Sequence, residues 1–146
     1  MITRGIFLFF IVFNLLVFGY SDESEHKTET STSISGLSWY LNIETALQKA
    51  KKEKKSIVVM VGEESCKWCK KMKNRTLIDT RIQAKLKSYI LVSVKRSDKE
   101  AMKYLPTFDG NIPSFFFMQD NKELIESIVG YYKANDFLDY LNEVEE

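Results

Sequence analysis

Cys66 and Cys69 stand three residues apart in the stretch Ser65-Cys66-Lys67-Trp68-Cys69-Lys70-Lys71-Met72, and the chain has no other cysteine. On one turn of helix that spacing puts both sulfurs on the same face, within the range a disulfide bridges, so the pair can open and close without the fold moving. If Cys66 begins the helix, unsatisfied backbone N–H groups and the positive end of the helix dipole favour its thiolate over its thiol. Lys67, Lys70 and Lys71 act in the same direction. Cys69, one turn deeper, is expected to be more buried and to remain a thiol until it is needed. The chemistry that follows is exchange: the Cys66 thiolate attacks a partner's disulfide, and Cys69 attacks the resulting mixed disulfide and releases the partner. The opposite direction, in which the closed pair takes electrons from a partner dithiol, uses the same atoms.

Other uses of the pair fit less well. A structural zinc site needs about four ligands, and with a single histidine, His26, the chain cannot complete one alone; only a dimer pooling two pairs could. His26 itself falls in a polar tail and reads as a solvated side chain. Covalent c-type haem needs a histidine directly after the second cysteine, where Lys70 stands. A static staple stabilises little, because closing so small a loop removes little entropy from the unfolded chain. A dithiolate metal-handling protein and a non-enzymatic adaptor or chaperone with incidental cysteines are the competing classes.

Positioning the pair requires a strand before it and a helix after it. Ser56-Ile57-Val58-Val59-Met60-Val61 is a continuous apolar, β-branched run of the kind found in a strand covered on both faces, and it ends at Gly62 just before the cysteines. Helices are expected from about Cys66 to Arg75 and from about Asp79 to Lys87, then a strand over Tyr89 to Lys95. Upstream, Leu37 to Leu41 reads as a short edge strand. Asn42 reads as the cap of a helix running to about Lys54, with Ile43, Ala46, Leu47 and Ala50 on one face. Downstream, Asp98 to Tyr104 reads as a short helix that stops by Leu105, because Pro106 disfavours helical geometry in its predecessor. Ser114 to Met118 and Leu124 to Val129 flank the turn Gln119-Asp120-Asn121-Lys122 as an antiparallel hairpin. Asn135 to about Val144 closes the chain as a helix. These elements make an α/β fold, a mixed central sheet with helices on both faces, in which the strands at Ile57 and Ile90 run parallel through a helical crossover.

The 146 residues have room for one domain and an appendage. Apolar types at 45%, charged types at 28%, two prolines and six glycines exclude collagen-like, low-complexity and wholly disordered classes. A formal charge of +1 supplies no global field to recruit nucleic acid or an anionic surface. Met1 to Arg4 carries one positive side chain, Gly5 to Tyr20 is apolar except for Asn14, and Ser21-Asp22-Glu23 turns abruptly polar. That is the layout of an export signal, with cleavage expected before Asp22. An uncleaved anchor is the alternative, but this apolar stretch is short against the ~20 residues of a helical span. Residues 1–21 are thus expected to be a signal peptide and residues 22–36 a disordered polar linker, with Ile34 its only large apolar side chain. Residues 37–146 are expected to be the folded domain. Export to a periplasm or the cell exterior is the simplest account.

Taken together, these residues resemble the thioredoxin superfamily, and within it exported thioredoxin-like proteins whose motif reads Cys-x-Trp/Tyr-Cys-Lys-Lys-Met. The likeness covers residues 37–146. The motif follows a buried strand and opens a helix, Ile112-Pro113 stands immediately before a later strand, and Val129-Gly130 with Phe137 and Leu141 fits the last strand and helix. The resemblance implies a thioredoxin-like fold and a thiol–disulfide oxidoreductase acting on protein thiols and disulfides, with Cys66 as nucleophile and Cys69 as resolving group. It implies a cis Pro113 facing the disulfide, a backbone at Ile112 that pairs with the client chain, and Trp68 as an apolar cap toward substrate. It requires no cofactor beyond the disulfide, and a membrane-linked redox partner would supply or accept electrons.

Three positions depart from thioredoxin proper. Ser65 replaces a tryptophan, Lys67-Trp68 replaces Gly-Pro, and Met60 falls where thioredoxin has a buried aspartate that helps proton transfer. Without that acid, the Cys69 proton must leave by water or by a nearby carboxylate, with Glu63 and Glu64 the candidates. The basic run from Lys67 to Arg75 favours acidic client surfaces and, by stabilising the thiolate, a more oxidising disulfide.

Overall fold

The computed structural model describes residues 30–144; the expected signal peptide, His26 and the linker up to residue 29 lie outside the described residues. Six strands form one sheet: β1 (Ser31–Ile34), β2 (Leu37–Tyr40), β3 (Ile57–Gly62), β4 (Ile90–Lys95), β5 (Ser114–Met118) and β6 (Leu124–Val129). Their order is β1-β2-β4-β3-β5-β6, with β3 parallel to β4 and antiparallel to β5.

Side chains alternate across a strand, so β3 sends Val58 and Met60 to one face with Leu91, Phe115 and Phe117, and Ile57, Val59 and Val61 to the other with Val92, Phe116 and Met118. Both faces are covered. α1 (Ile43–Glu53) and α4 (Lys99–Met102) lie on the second face; α2 (Lys67–Lys71), α3 (Thr80–Leu86) and α5 (Ala134–Val144) lie on the first. Double coverage is why β3 and β5 read as unbroken apolar runs instead of alternating ones. Burying Phe115 and Phe117 completely stabilises the sheet by about 1.5–3 kcal/mol each.

Local signals set the helix ends. The Asn42 side chain accepts the Thr45 N–H at 2.8 Å, and Lys54 closes α1 in the left-handed region at φ 53. The buried face of α1 is Ile43, Ala46, Leu47 and Ala50, as the periodicity predicts. Asp79 and Asp98 cap α3 and α4 in the same way.

Two expectations need correction. Residues 31–36 are not a disordered linker, because β1 pairs antiparallel with β2 from Ser31↔Tyr40 to Ile34↔Leu37, turning through Ser35 and Gly36 at φ 54 and 78. The ladder satisfies backbone groups whatever the side chains are, and Ile34 packs on the core. In consequence β2 is an interior strand and β1 forms the sheet edge. The helix opened by the cysteines also changes type, from α2 to a π-helical turn at Met72–Thr76 in which the Leu77 N–H reaches Met72 O. This wider turn buries Met72, Thr76 and Leu77 together, a placement that a 3.6-residue period does not encode.

Candidate active site

β3 ends at Gly62, and a turn closed by the Cys66 N–H on Glu63 O at 3.1 Å delivers Cys66 to the cap position of α2. There the Cys66 Sγ accepts the Cys69 N–H at 3.0 Å. The two cysteines form a disulfide, with their Cα atoms 5.2 Å apart. Cys66 is half-buried, whereas Cys69 is 1% exposed. The sulfur a partner can reach is therefore the one at which the first-turn N–H points.

The loop before β5 comes to meet it. The Ile112–Pro113 peptide bond is cis, and Ile112 O lies 3.9 Å from Cys66 Sγ. Pro113 is buried, its carbonyl accepting the Gly130 N–H at 2.7 Å, and the Ser114 hydroxyl donates to Asn111 O at 2.6 Å. These bonds hold the loop to both β5 and β6. Gly130, at φ 106, turns the chain out of β6 in a conformation that other residues rarely adopt.

Trp68 is 55% exposed. Its ring stacks on Tyr131 with centroids 5.7 Å apart, and the Lys71 Nζ sits 4.8 Å from the Trp68 centroid and 4.5 Å from that of Tyr131. Trp68, Ile112, Gly130 and Tyr131 line an open groove of about 280 Å³. A larger cavity of about 420 Å³, lined by Glu44, Leu47, Tyr104 and Lys122 among others, shares no residue with this region.

Of the residues singled out by sequence, the structure brings Cys66, Cys69, Trp68, Ile112 and Pro113 together. Lys67 and Lys70 are exposed on α2, and it is Lys71 that is held against the aromatic pair. Glu64 is turned to β4, where Lys95 donates to it at 2.8 Å and holds its carboxyl below the usual range. Met60 is buried, so its place in β3 is apolar. Tyr131 was not picked out as a site residue, although it directly follows Val129-Gly130, and Lys71 was expected only to favour the Cys66 thiolate, not to pack on an aromatic pair. Among the described residues no group of three or more His, Cys, Asp or Glu is placed to hold a metal.

Fold and site together define a class, the thioredoxin-like thiol–disulfide oxidoreductases. The chain belongs to the family described as the thioredoxin-like domain, whose family model matches residues 43–145. Several solved structures are similar. One, described as DsbH oxidoreductase, has 14% identity and a TM-score of 0.62, covering 84% of this chain and 92% of its own. The C-terminal domain of Neisseria meningitidis DsbD in the oxidised form has 18% identity and a TM-score of 0.58, covering 72% of this chain and 97% of its own. A thioredoxin from Thermus thermophilus has 22% identity and a TM-score of 0.61, covering 73% and 85% respectively. At these identities the likeness is one of fold. No curated protein matches the sequence.

Proposed function

We propose that this chain is an exported thiol–disulfide oxidoreductase that exchanges disulfides with protein cysteines through Cys66 and Cys69. The observation that carries the reading is the asymmetry of the closed pair: a reachable Cys66 sulfur at a helix start, bonded to a Cys69 sulfur in the core. When the pair is reduced, the Cys69 N–H and the start of α2 favour the Cys66 thiolate, with Lys67 and Lys70 adding positive charge from the surface of the same helix. That thiolate attacks one sulfur of a client disulfide, and the other client sulfur leaves as a thiol. Cys69 then attacks Cys66 Sγ, closes the pair and frees the client.

Substrate contacts follow from the groove. The Ile112 backbone next to Pro113 pairs with the extended client chain, and Trp68 supplies an apolar wall beside the attacked bond. The redox centre is the disulfide, and no bound cofactor is part of the reading. Residues 1–21 serve as the export signal, and a membrane-linked partner exchanges electrons with the pair. A reduction potential measured against glutathione assigns the direction, a low value to a reductase and a high one to an oxidase.

Replacing Cys69 with Ala tests the proposal. The variant is expected to accumulate mixed disulfides with client proteins through Cys66, resolvable on a non-reducing gel and abolished by a second Cys66→Ala change. A Cys69→Ala protein that binds clients without forming any such bond is an adaptor and not an oxidoreductase.

A further inference from the structure

Cys69 must lose a proton before it can attack, yet its sulfur is buried and the neighbouring β3 position is Met60. Beside it lies a space. A cavity of about 170 Å³ is walled on its polar side by Glu63, Glu64, Lys73, Ser93 and Lys95 with Gly62, and elsewhere by the uncharged side chains of Thr32 and Ile34 in β1, Leu41 just after β2, and Val94. Alternation along β3 turns position 62 to the same face as Met60, under α2. A Cβ built on Gly62 would stand 3.5 Å from Cys69 Sγ. Gly62 thus both lines the cavity and lies against the sulfur. The volume holds more than one water, and Glu63, Glu64, Lys73, Ser93 and Lys95 give such water polar partners.

We propose that this cavity is the proton exit for the resolving step, that water in it takes the Cys69 proton past Gly62, and that Lys73 is a positioning residue whose ammonium favours the Cys69 thiolate. The inference rests on the exchange reaction proposed above. Lys73 follows Cys69 by four residues, which places the two on one side of the helix. It is half-buried, and burial pushes its ammonium toward releasing a proton, opposed by the Glu64 charge. A poorly solvated cation gains most from a nearby anion. Glu64 is hydrogen-bonded to Lys95, and Glu63 is the remaining acidic group on the wall. In the step, the Cys69 S–H bond breaks and its proton passes through cavity water to bulk. The thiolate attacks Cys66 Sγ, the bond between Cys66 and the client sulfur breaks, and the client leaves as a thiolate that takes a proton from solvent. The pair is oxidised and the client sulfur reduced.

The reduced protein, mixed rapidly with dithiobis-nitrobenzoate, releases one aromatic thiolate when Cys66 attacks and a second when Cys69 resolves. Three variants are compared over a range of pH: Gly62→Ala, whose new Cβ meets Cys69 at ordinary contact distance, Lys73→Met and Lys73→Arg. The first release is expected to be unchanged in Gly62→Ala and, in the two Lys73 variants, to change less than the second. The second is expected to slow several-fold in Gly62→Ala. In Lys73→Met it is expected to slow about tenfold at neutral pH, with its profile moved up by about one pH unit, and Lys73→Arg restores it. An unchanged second release in Gly62→Ala or in Lys73→Met, or no restoration by Lys73→Arg, overturns the inference. If the unaltered protein shows no first release, it is the exchange reading that fails.

Discussion

Trp68 shows how a single exposed side chain can be both open to a partner and fixed in place. An indole on a helix surface ordinarily samples several rotamers, and here the Tyr131 ring and the Lys71 ammonium pack on it. If Trp68 walls the client groove as proposed, holding it before a client arrives reduces the ordering cost of binding. An aromatic pair contributes about 0.5–1.5 kcal/mol beyond its buried area. Tyr131→Ala is therefore expected to lower kcat/KM toward a protein disulfide by about two- to tenfold. The reaction of Cys66 with a small thiol reagent should keep its rate. Equal losses toward the protein and the small reagent would mean that Tyr131 supports the cysteine helix and not the substrate groove.

At the scale of elements, α3 ties the active-site side of the sheet to the C-terminal helix. Asp79 caps α3 by accepting the Arg81 N–H at 2.9 Å, and the Arg81 guanidinium reaches both Asp79 at 2.7 Å and Asn135 at 3.0 Å. The Arg81 hydrogen bond is the main reason the Asp79 carboxyl falls from its usual 3.8 to about 2. A carboxyl whose folded pKa is depressed stabilises the fold above its ordinary value and loses that contribution as pH falls through the folded one. The unaltered protein should therefore lose stability between roughly pH 4 and pH 2 in a part that Asp79→Asn lacks. Denaturant titrations of both proteins across that window check this; parallel curves would show that the pair contributes nothing measurable, as many exposed ion pairs do.

For the whole molecule, the consequential element is a strand with a single large apolar side chain, Ile34. β1 covers the edge of β2, and its turn reaches the cysteine side of the molecule: the Ser35 hydroxyl donates to Lys73 O at 2.6 Å, and the Gln83 side-chain amide donates to Ser35 O. These bonds brace the π turn that follows the cysteine helix. A chain beginning at Leu37 loses the ladder and both bonds. Its Tm is expected to fall by at least about 4 °C, the shift that corresponds to ~1 kcal/mol in a domain near this size. Thermal unfolding followed by circular dichroism measures it. An unchanged midpoint would return residues 31–36 to the status of a dispensable lead-in.

Much of the layout was legible because it is written in local signals. The apolar run at 56–61, the Asn42 cap, the hairpin at 114–129 and the period of α5 each rest on residues close together in sequence, and each element appears within a residue or two of its expected bounds. β1 was missed because Ser31, Thr32 and Ser33 carry almost no hydrophobic signal; their strand state comes from backbone pairing with β2. Tyr131, and the contact of Lys71 with the aromatic pair, were missed for a related reason. Their roles depend on which surfaces meet across the sheet, and no spacing along the chain reports that.

By itself the amino-acid order determined that two sulfurs share one helical turn after a buried strand, which is the requirement for exchange chemistry, because spacing and periodicity act between near neighbours. Tertiary structure alone decided which surfaces close around that turn: the proline loop against Cys66, the aromatic pair on Trp68, and the space that Gly62 leaves open beside Cys69. Those contacts join segments far apart in the chain, and only packing of the sheet and its two helical layers brings them within reach of each other.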